Sequence, residues 1–494
     1  MCGIVGIHSH QRVAEKLYQS LIHLQHRGQD SAGILTSHQQ FDMTRGLGLV
    51  REIFTDSNLA ILNGNIGIAH VRYPTSGGYS LPNVQPIFIN NPLRIALAHN
   101  GNLVNDRELA RELAQEKKPV NSFLTDSEVL LHLLNECINK LSPVIGDASS
   151  YFSMLCDAVQ TIFNRVQGSY SVVSVIQGKG LLAFRDPHGI RPLLLGEKIL
   201  SSGEKEYIIA SETTMFYSLG FQLVGDIHAG EIVFINQDNQ LFRYRISHKQ
   251  FSPCIFEYVY FARPDSIING VNVHNARSRM GELLAKRWKA IYPHLIPDIV
   301  IPTPFTSNTA TLAFAHELKI RYCEGLYKNP FIGRTFIMPD TEDRQRQIGF
   351  KLTPQQAAIE GKKVLIVDDS IVRGTTSQEI VKMVREFNAK EVYFVSSCPP
   401  IINPCFYGID IPASDKLIAA NKSLEEIRRH LNVDILLYQE INDLCKAVAG
   451  EEELVKTPCL ACMNGHYITG DINQKKIQQL GEKRQQNREK LCEF

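Results

Sequence analysis

A cysteine at position 2 is the first residue whose placement suggests chemistry. Once Met1 is removed, Cys2 would carry both a thiol and a free α-amine. An α-amine titrates near pH ~7.7–8, so it can accept the proton of its own thiol close to neutrality. Nucleophile and base then come from one residue, as in N-terminal threonine sites. Alone, a cysteine at a strand start is more often a small buried hydrophobe. Four later clusters change that balance: His26-Arg27-Gly28-Gln29-Asp30-Ser31-Ala32-Gly33, His70-Val71-Arg72-Tyr73-Pro74-Thr75, Leu97-Ala98-His99-Asn100-Gly101-Asn102 and Thr125-Asp126-Ser127-Glu128. Each has a plain alternative. Arg72 could be a surface ion-pair residue, Asn100-Gly101 a turn dipeptide, and Asp126 part of a helix cap.

A second chemical stretch is Val364-Leu365-Ile366-Val367-Asp368-Asp369-Ser370-Ile371-Val372-Arg373-Gly374-Thr375-Thr376-Ser377. An apolar strand runs into two carboxylates, then into a Gly and hydroxyl loop that opens a helix. Backbone N–H groups at a helix start bind anions. The hydroxyls of Thr375, Thr376 and Ser377 add donors for a phosphate, and paired aspartates suit sugar hydroxyls or Mg²⁺. The loop lacks the Gly-Lys-[Ser/Thr] of a Walker A motif and is not a dinucleotide fingerprint. A third feature is Cys459-Leu460-Ala461-Cys462, which with Cys254 and Cys405 could form a four-thiolate site for zinc or an iron–sulfur cluster. The ligand set alone does not choose between them.

These residues need elements to hold them. The first half alternates short β-type runs at 3–7, 66–69, 94–99, 171–176 and 181–184 with helical patterns at 13–25 and 126–139. That predicts an α+β layered structure with largely antiparallel sheets. After about residue 270 the texture changes. Strand patterns at 298–301, 363–367 and 391–395 alternate with helical patterns at 306–318 and 377–387, which predicts a parallel α/β sheet with ligands beyond its carboxyl edge. Residues 242–254 read as a connector, and the charged, Gln-rich 474–494 as a solvated terminal helix. The chain has 494 residues, 44% hydrophobic and 21% charged, with net charge +1. Its length allows two to four domains, and its charge balance argues against nucleic-acid or acidic-membrane binding. No apolar run approaches the roughly 20 residues of a membrane span. The N-terminus has no secretory pattern, so a cytoplasmic chain is expected, with its 11 cysteines buried, catalytic or metal-bound rather than disulfide-paired.

The Cys-Gly-Ile-Val-Gly start and the four later clusters, in order, resemble the class II glutamine amidotransferases, the N-terminal-nucleophile (Ntn) glutaminases. The resemblance implies an αββα Ntn hydrolase domain over 2–240. In it Cys2 is the nucleophile, and Asn100 and Gly101 supply the oxyanion hole. Arg72 holds the α-carboxylate of glutamine and Asp126 its α-ammonium. Arg27 would support the site, and Asp186-Pro187-His188-Gly189-Ile190-Arg191-Pro192 would be scaffold. The second stretch resembles the phosphoribosylpyrophosphate (PRPP) loop of the type I phosphoribosyltransferases, implying an α/β domain over 255–470. Asp368 and Asp369 would then hold the ribose hydroxyls and Mg²⁺. Arg373, Gly374, Thr375, Thr376 and Ser377 would cradle the 5-phosphate, with Thr306 on the metal side. Asn329-Pro330-Phe331-Ile332-Gly333-Arg334-Thr335-Phe336 and the segment 339–352, with Arg344, Arg346 and Lys351, resemble that family's flap.

Taken whole, the chain resembles the glutamine PRPP amidotransferases, one branch of which carries a [4Fe–4S] cluster on cysteines in these contexts. The resemblance therefore implies that cluster on Cys254, Cys405, Cys459 and Cys462. Cluster-bearing members often have a propeptide before the catalytic cysteine, whereas here Met1 alone precedes it. The expected reaction is glutamine + PRPP + water to 5-phosphoribosylamine, glutamate and pyrophosphate, the first committed step of purine synthesis, with ammonia passed internally. Purine nucleotide inhibition and a homodimer or homotetramer are further family expectations. Two rivals remain: a glutaminase fused to another acceptor domain, which the PRPP loop disfavours, and a non-catalytic PRPP sensor, which the intact glutaminase residues disfavour.

Overall fold

Along the strand Gly3–His8, alternate side chains face two different cores. Val5 and Ile7 pack with Leu17, Leu21 and Leu24 of the helix Ala14–Leu24. Ile4 instead joins Leu35, Ile68, Val173, Leu181 and Val233. The strand Ile95–Leu103 divides the same way. Ile95 and Leu97 meet the helices Asp126–Lys140 and Ala148–Arg165, while Ala96 and Ala98 face the first sheet. Alternation on strands buried on both faces is what two sheets stacked between helical layers require. The computed structural model, which describes residues 2–73, 80–117 (backbone alone for 115–117), 125–141, 147–329, 352–473 and 475–478, thus has the expected αββα sandwich in its first half.

Among the described residues, one sheet has seven strands in the order Gln222–Asp226, Leu194–Ile199, Lys205–Ala210, Gly3–His8, Ile66–Arg72, Ser31–Ser37, Phe41–Leu47. The other has six, in the order Leu241–Arg245, Glu231–Asn236, Gly180–Arg185, Gly168–Ile176, Ile95–Leu103, Ile87–Ile89. The segment 242–254, read from sequence as a connector, begins within the outer strand of this second sheet, whose residue Phe234 pairs with Phe242. The strand is easily missed because its residues are half-exposed.

The second half holds a parallel sheet in the order Arg321–Tyr322, Ile299–Pro302, Lys363–Asp368, Glu391–Ser396, Ile435–Tyr438. Val300, Leu365, Val367 and Tyr393 pack on one face with Leu284 and Trp288 of the helix Val273–Ile291 and Phe314 of the helix Asn308–Leu318. Ile301, Val364 and Ile366 pack on the other with Ile380 and Val384 of the helix Thr375–Glu386. In chain order the strands run 2-1-3-4-5, so the winding reverses between Ile299–Pro302 and Lys363–Asp368. A ligand crevice is expected beyond the carboxyl ends of those two strands. Of the expected terminal helix, residues 475–478 are helical; residue 474 and residues 479–494 lie outside the described residues. So does 330–351, which holds Arg344, Arg346, Lys351 and most of the expected flap. Among the described residues no helix is long and apolar enough to cross a membrane.

Buried charge joins the halves. Arg27 donates through one terminal nitrogen to Glu257 Oε2 at 2.7 Å and through Nε to Glu212. Arg191 donates to Glu257 Oε1 at 3.3 Å. Burial opposes the Arg27 charge, yet Glu212 and Glu257 raise its pKa above the ordinary value. Burial likewise opposes ionisation of Glu212, but Arg27 and His26 hold its carboxyl well below the usual range. Removing one partner of such a set strands the others. Glu257→Gln should destabilise the protein by about 3–5 kcal/mol, read by denaturant unfolding; a change within experimental error would show that the pairs are not under load.

Candidate functional site

A cleft of about 350 Å³, open to solvent, is lined by Cys2, Arg72, Tyr73, Asn83, Gln85, His99, Gly101, Thr125, Asp126 and Ser127. Its floor is strand ends. Cys2 precedes Gly3–His8, which pairs with Ile66–Arg72 so that Gly3 faces Val71 and Arg72 ends the strand at the cleft. Asn100 and Gly101 lie inside Ile95–Leu103, opposite Ser171 and Tyr170. They form no turn, contrary to the dipeptide's commonest use. Asp126 opens the helix Asp126–Lys140, capped by Thr125, whose side chain accepts from the Glu128 N–H. Asp126 Oδ2 accepts from the Leu103 N–H at 3.1 Å, which ties that helix start to the strand Ile95–Leu103.

The backbone nitrogen of Cys2 donates to Asn100 Oδ1 at 3.3 Å. That leaves Asn100 Nδ2, in a residue only 1% exposed, with no hydrogen-bond partner among the described residues. Leaving a buried donor unmet costs about 1–3 kcal/mol, which an acceptor supplied by a ligand or a water would remove. Burial pulls the Arg72 pKa down from its ordinary value, opposed by Cys2, Asp126 and Asp30. A carboxylate placed there would relieve it. Burial also lowers the His99 pKa, favouring the neutral ring; its Nδ1 lies 3.1 Å from Ser127 Oγ, which accepts from Gln85 Nε2 at 2.9 Å. Gln85 Oε1 in turn accepts from the His99 N–H at 2.7 Å. Asn83 and Gln85 were not singled out from sequence. They stand outside the recognised clusters, and the one local signal is two polar side chains buried beside apolar neighbours.

The second site forms at the reversal point of the parallel sheet. Asp368 ends its strand and Asp369 follows; Ser397 N–H and Thr303 N–H donate to the carbonyls of Asp368 and Val367, both at 2.9 Å. Thr306 Oγ1 donates to Asp369 Oδ2, and Ser370 Oγ to its Oδ1 at 2.7 Å. Gly374 caps the helix Thr375–Glu386 with φ +81°, and a β-carbon there would meet Ile418 Cδ1 at 2.6 Å. The N–H groups of Thr375, Thr376 and Ser377 thus stand at a free helix start, beside the acid pair. Among the described residues no group of three or more His, Cys, Asp or Glu is set to hold a metal ion. Two hard carboxylates still suit Mg²⁺, which commonly takes its remaining ligands from water and substrate phosphates.

Cys254, Cys405, Cys459 and Cys462 are buried in one core. Cys254 and Cys459 pair through backbone, and Ile402 and Asn403 donate to the Cys462 carbonyl, both at 3.0 Å. Burial pushes the Cys254 thiol up to about 11 and raises those of Cys459 and Cys462, with the neighbouring cysteines adding to it. Thiols are the donor type that both zinc and iron–sulfur clusters take. Cys398 sits in the same core and adds to the Cys462 shift.

An Ntn glutaminase sandwich with Cys2 lining its cleft, joined to a phosphoribosyltransferase-type sheet, defines a glutamine amidotransferase of two halves. Residues 80–218 match a family model described as glutamine amidotransferase domain. The chain is similar to the amidophosphoribosyltransferase of Pseudomonas aeruginosa, 42% identical over 98% of this chain and 96% of that protein. It is 41% identical to the one from Methanocaldococcus jannaschii, over 97% and 99% of the two. A solved glutamine PRPP amidotransferase from B. subtilis, complexed with ADP and GMP, matches with TM-score 0.81 and 35% identity, covering 96% of this chain and all of that one. The chain belongs to the amidophosphoribosyltransferase family.

The acid pair has a cost that can be measured. Burial, then the charge of Asp369, raises the Asp368 pKa well above its ordinary value, and burial raises that of Asp369. A raised carboxyl pKa means the folded chain binds protons more tightly than the unfolded one. The pair therefore costs nothing below the unfolded value of about 3.9, and removes stability as pH rises from there through the raised values. Asp368→Asn should raise the melting temperature of the ligand-free protein at neutral pH while abolishing PRPP binding. The stability gain should vanish near pH 4, and a melting temperature that falls at neutral pH would contradict the assignment.

Proposed function

We infer that this chain transfers the amide nitrogen of glutamine to PRPP, giving 5-phosphoribosylamine, glutamate and pyrophosphate, the first committed step of purine synthesis. The observation that carries this reading is the unmet Asn100 Nδ2 beside Cys2. After removal of Met1, the α-amine of Cys2 takes the thiol proton and the sulfur attacks the amide carbon. Asn100 Nδ2 and the Gly101 N–H receive the developing oxyanion. Arg72 holds the substrate α-carboxylate by its planar fork and Asp126 the α-ammonium. Ammonia leaves with the proton from the α-amine, and water then hydrolyses the γ-glutamyl thioester. In the second half, Arg373, Gly374, Thr375, Thr376 and Ser377 hold the 5-phosphate, and Asp368 and Asp369 hold the ribose hydroxyls. Ammonia attacks C1 of the ribose as pyrophosphate departs from the opposite face. No protein nucleophile is needed there; positioning and charge neutralisation do the work.

Magnesium would be held by Asp368 and Asp369, with Thr306 orienting the latter, and would neutralise pyrophosphate charge. A [4Fe–4S] cluster would be held by Cys254, Cys405, Cys459 and Cys462, in a structural or oxygen-sensing role. The buried thiols and their shared core support this reading. Purine nucleotides are proposed as inhibitors, in keeping with the nucleotide-bound B. subtilis relative. Inhibition of the PRPP reaction by AMP or GMP tests this, and light scattering tests the proposed homodimer or homotetramer.

Asn100→Ala should lower kcat for the glutamine-dependent reaction by about 10²–10³, and Cys2→Ala should abolish it. Both should leave the reaction with added ammonia intact. Loss of both reactions together, or active enzyme with Met1 still attached by mass spectrometry, would overturn the mechanism. Anaerobically purified protein should be brown and contain iron, and Cys459→Ser should be colourless. Iron-free wild type prepared this way would remove the cluster from the account.

A further inference from the structure

The oxyanion strand of the glutaminase is backed by a piece of the other half. Asn102 Nδ2 donates to the Phe406 carbonyl at 2.9 Å. Buried Ser169 Oγ donates to the Tyr407 carbonyl, also at 2.9 Å. Asn102 and Ser169 are cross-strand neighbours, one step from Gly101. Gly408 then turns with φ +93° and lays its backbone against the Gly101 peptide. A β-carbon on Gly408 would sit 3.0 Å from the Gly101 oxygen and 3.1 Å from its carbonyl carbon. On the other side Gly101 is stopped by Ser169, whose carbonyl oxygen would lie 2.0 Å from a β-carbon on Gly101.

The segment behind Gly101 is itself held. The Tyr407 N–H donates to Cys405 Sγ at 3.3 Å. The Tyr407 hydroxyl pairs with Thr469 Oγ1 at 2.8 Å, and Tyr467 donates to the Pro404 carbonyl at 2.7 Å. An oxyanion donor works only when it is aimed beforehand at the place where charge develops. The Gly101 N–H lies in the Asn100–Gly101 peptide, whereas Gly408 stands against the adjoining Gly101–Asn102 peptide and the Gly101 Cα; a residue some three hundred positions away thus sets the donor through that shared Cα.

We propose that residues 406–408 are a positioning clamp for the oxyanion hole, with Gly408 the positioning residue that fixes the Gly101–Asn102 peptide and, through the Gly101 Cα, the direction of the Gly101 N–H. The inference rests on the reading of Cys2, Asn100 and Gly101 as glutaminase machinery. Gly408→Ala in the full chain should lower kcat for glutamine hydrolysis roughly tenfold or more, with KM for glutamine little changed. Ammonia-dependent activity should persist, and iodoacetamide should alkylate Cys2 at the wild-type rate.

Glutamate γ-semialdehyde gives a readout that a merely structural role would not move. The Cys2 sulfur adds to the aldehyde carbon, the carbonyl π pair moves to oxygen, and the thiol proton passes to the α-amine. The product places its oxyanion in the hole, so affinity for the aldehyde should fall by the same factor as kcat. Ser169→Ala, which removes the Tyr407 anchor without adding bulk, should show a smaller loss in both and decides the matter if Gly408→Ala does not fold. Unchanged kcat and aldehyde affinity, or equal loss of the glutamine and ammonia reactions, overturns the clamp. A wild-type protein that hydrolyses no glutamine overturns the parent reading and the clamp with it.

Discussion

Glu257 carries a charge in a place that water barely reaches, and it is answered by arginines from the other half of the chain. Arg27 comes from the turn after the first helix and Arg191 from the loop after Gly180–Arg185. Such pairs add little net stability over a well-packed apolar substitute, but they penalise any docking that leaves them unmatched. The two halves are therefore held in a defined orientation as well as attached. Arg191 also extends the arrangement. Burial works against its charge, while Cys254, Glu257, Cys405 and Cys459 favour it. The ionic joint thus ends against the cysteine core.

That orientation brings together parts that lie far apart in the chain. The cysteine core is remote in sequence from both substrate motifs. In space, Cys405 is followed within a few residues by the backbone that touches Gly101, and Ser397, in the segment leading to Cys405, donates to the Asp368 carbonyl. One stretch of backbone therefore touches the acid pair, the cysteines and the oxyanion strand. The apolar cluster around Ile255, Tyr258, Phe406 and Ile409 lies at this junction. An apolar surrounding suits a reaction in which free ammonia must avoid protonation by water.

The order of elements was legible because burial on two faces leaves a mark. Ile4, Val5 and Ile7, or Ile95 to Ala98, read as strands through apolar residues at successive positions, and the helix 13–25 read through its spacing. The strand Leu241–Arg245 was not legible, since an edge strand with half-exposed residues need not be apolar. Residues that line the cleft were legible where chemistry demands a particular type: Cys2, Arg72 and Asp126. Asn100 and Gly101, taken as a pair, have the composition of a turn. Their place inside a strand follows from pairing with Ser171 and Tyr170, which no local pattern reveals. Gln85 and Ser127 act by closing a hydrogen-bonded ring around His99, and Gly408 by having no side chain. Roles of that kind depend on partners distant in sequence and leave no trace in spacing.

The two sites pose opposite electrostatic problems and solve them with the same device. The glutaminase cleft holds a buried donor, Asn100 Nδ2, that is unmet among the described residues. The crevice of the parallel sheet holds two carboxyls whose ionisation burial makes unfavourable. In each case the free protein carries a buried polar group in its less comfortable state, and binding relieves it. Such discomfort persists only where the surroundings over-determine the geometry. Asn100 is held by the Cys2 N–H and by its strand; Asp369 is held by Thr306 and Ser370, and Asp368 by the sheet that ends at it. The rigidity of the strands that carry them keeps both groups in place.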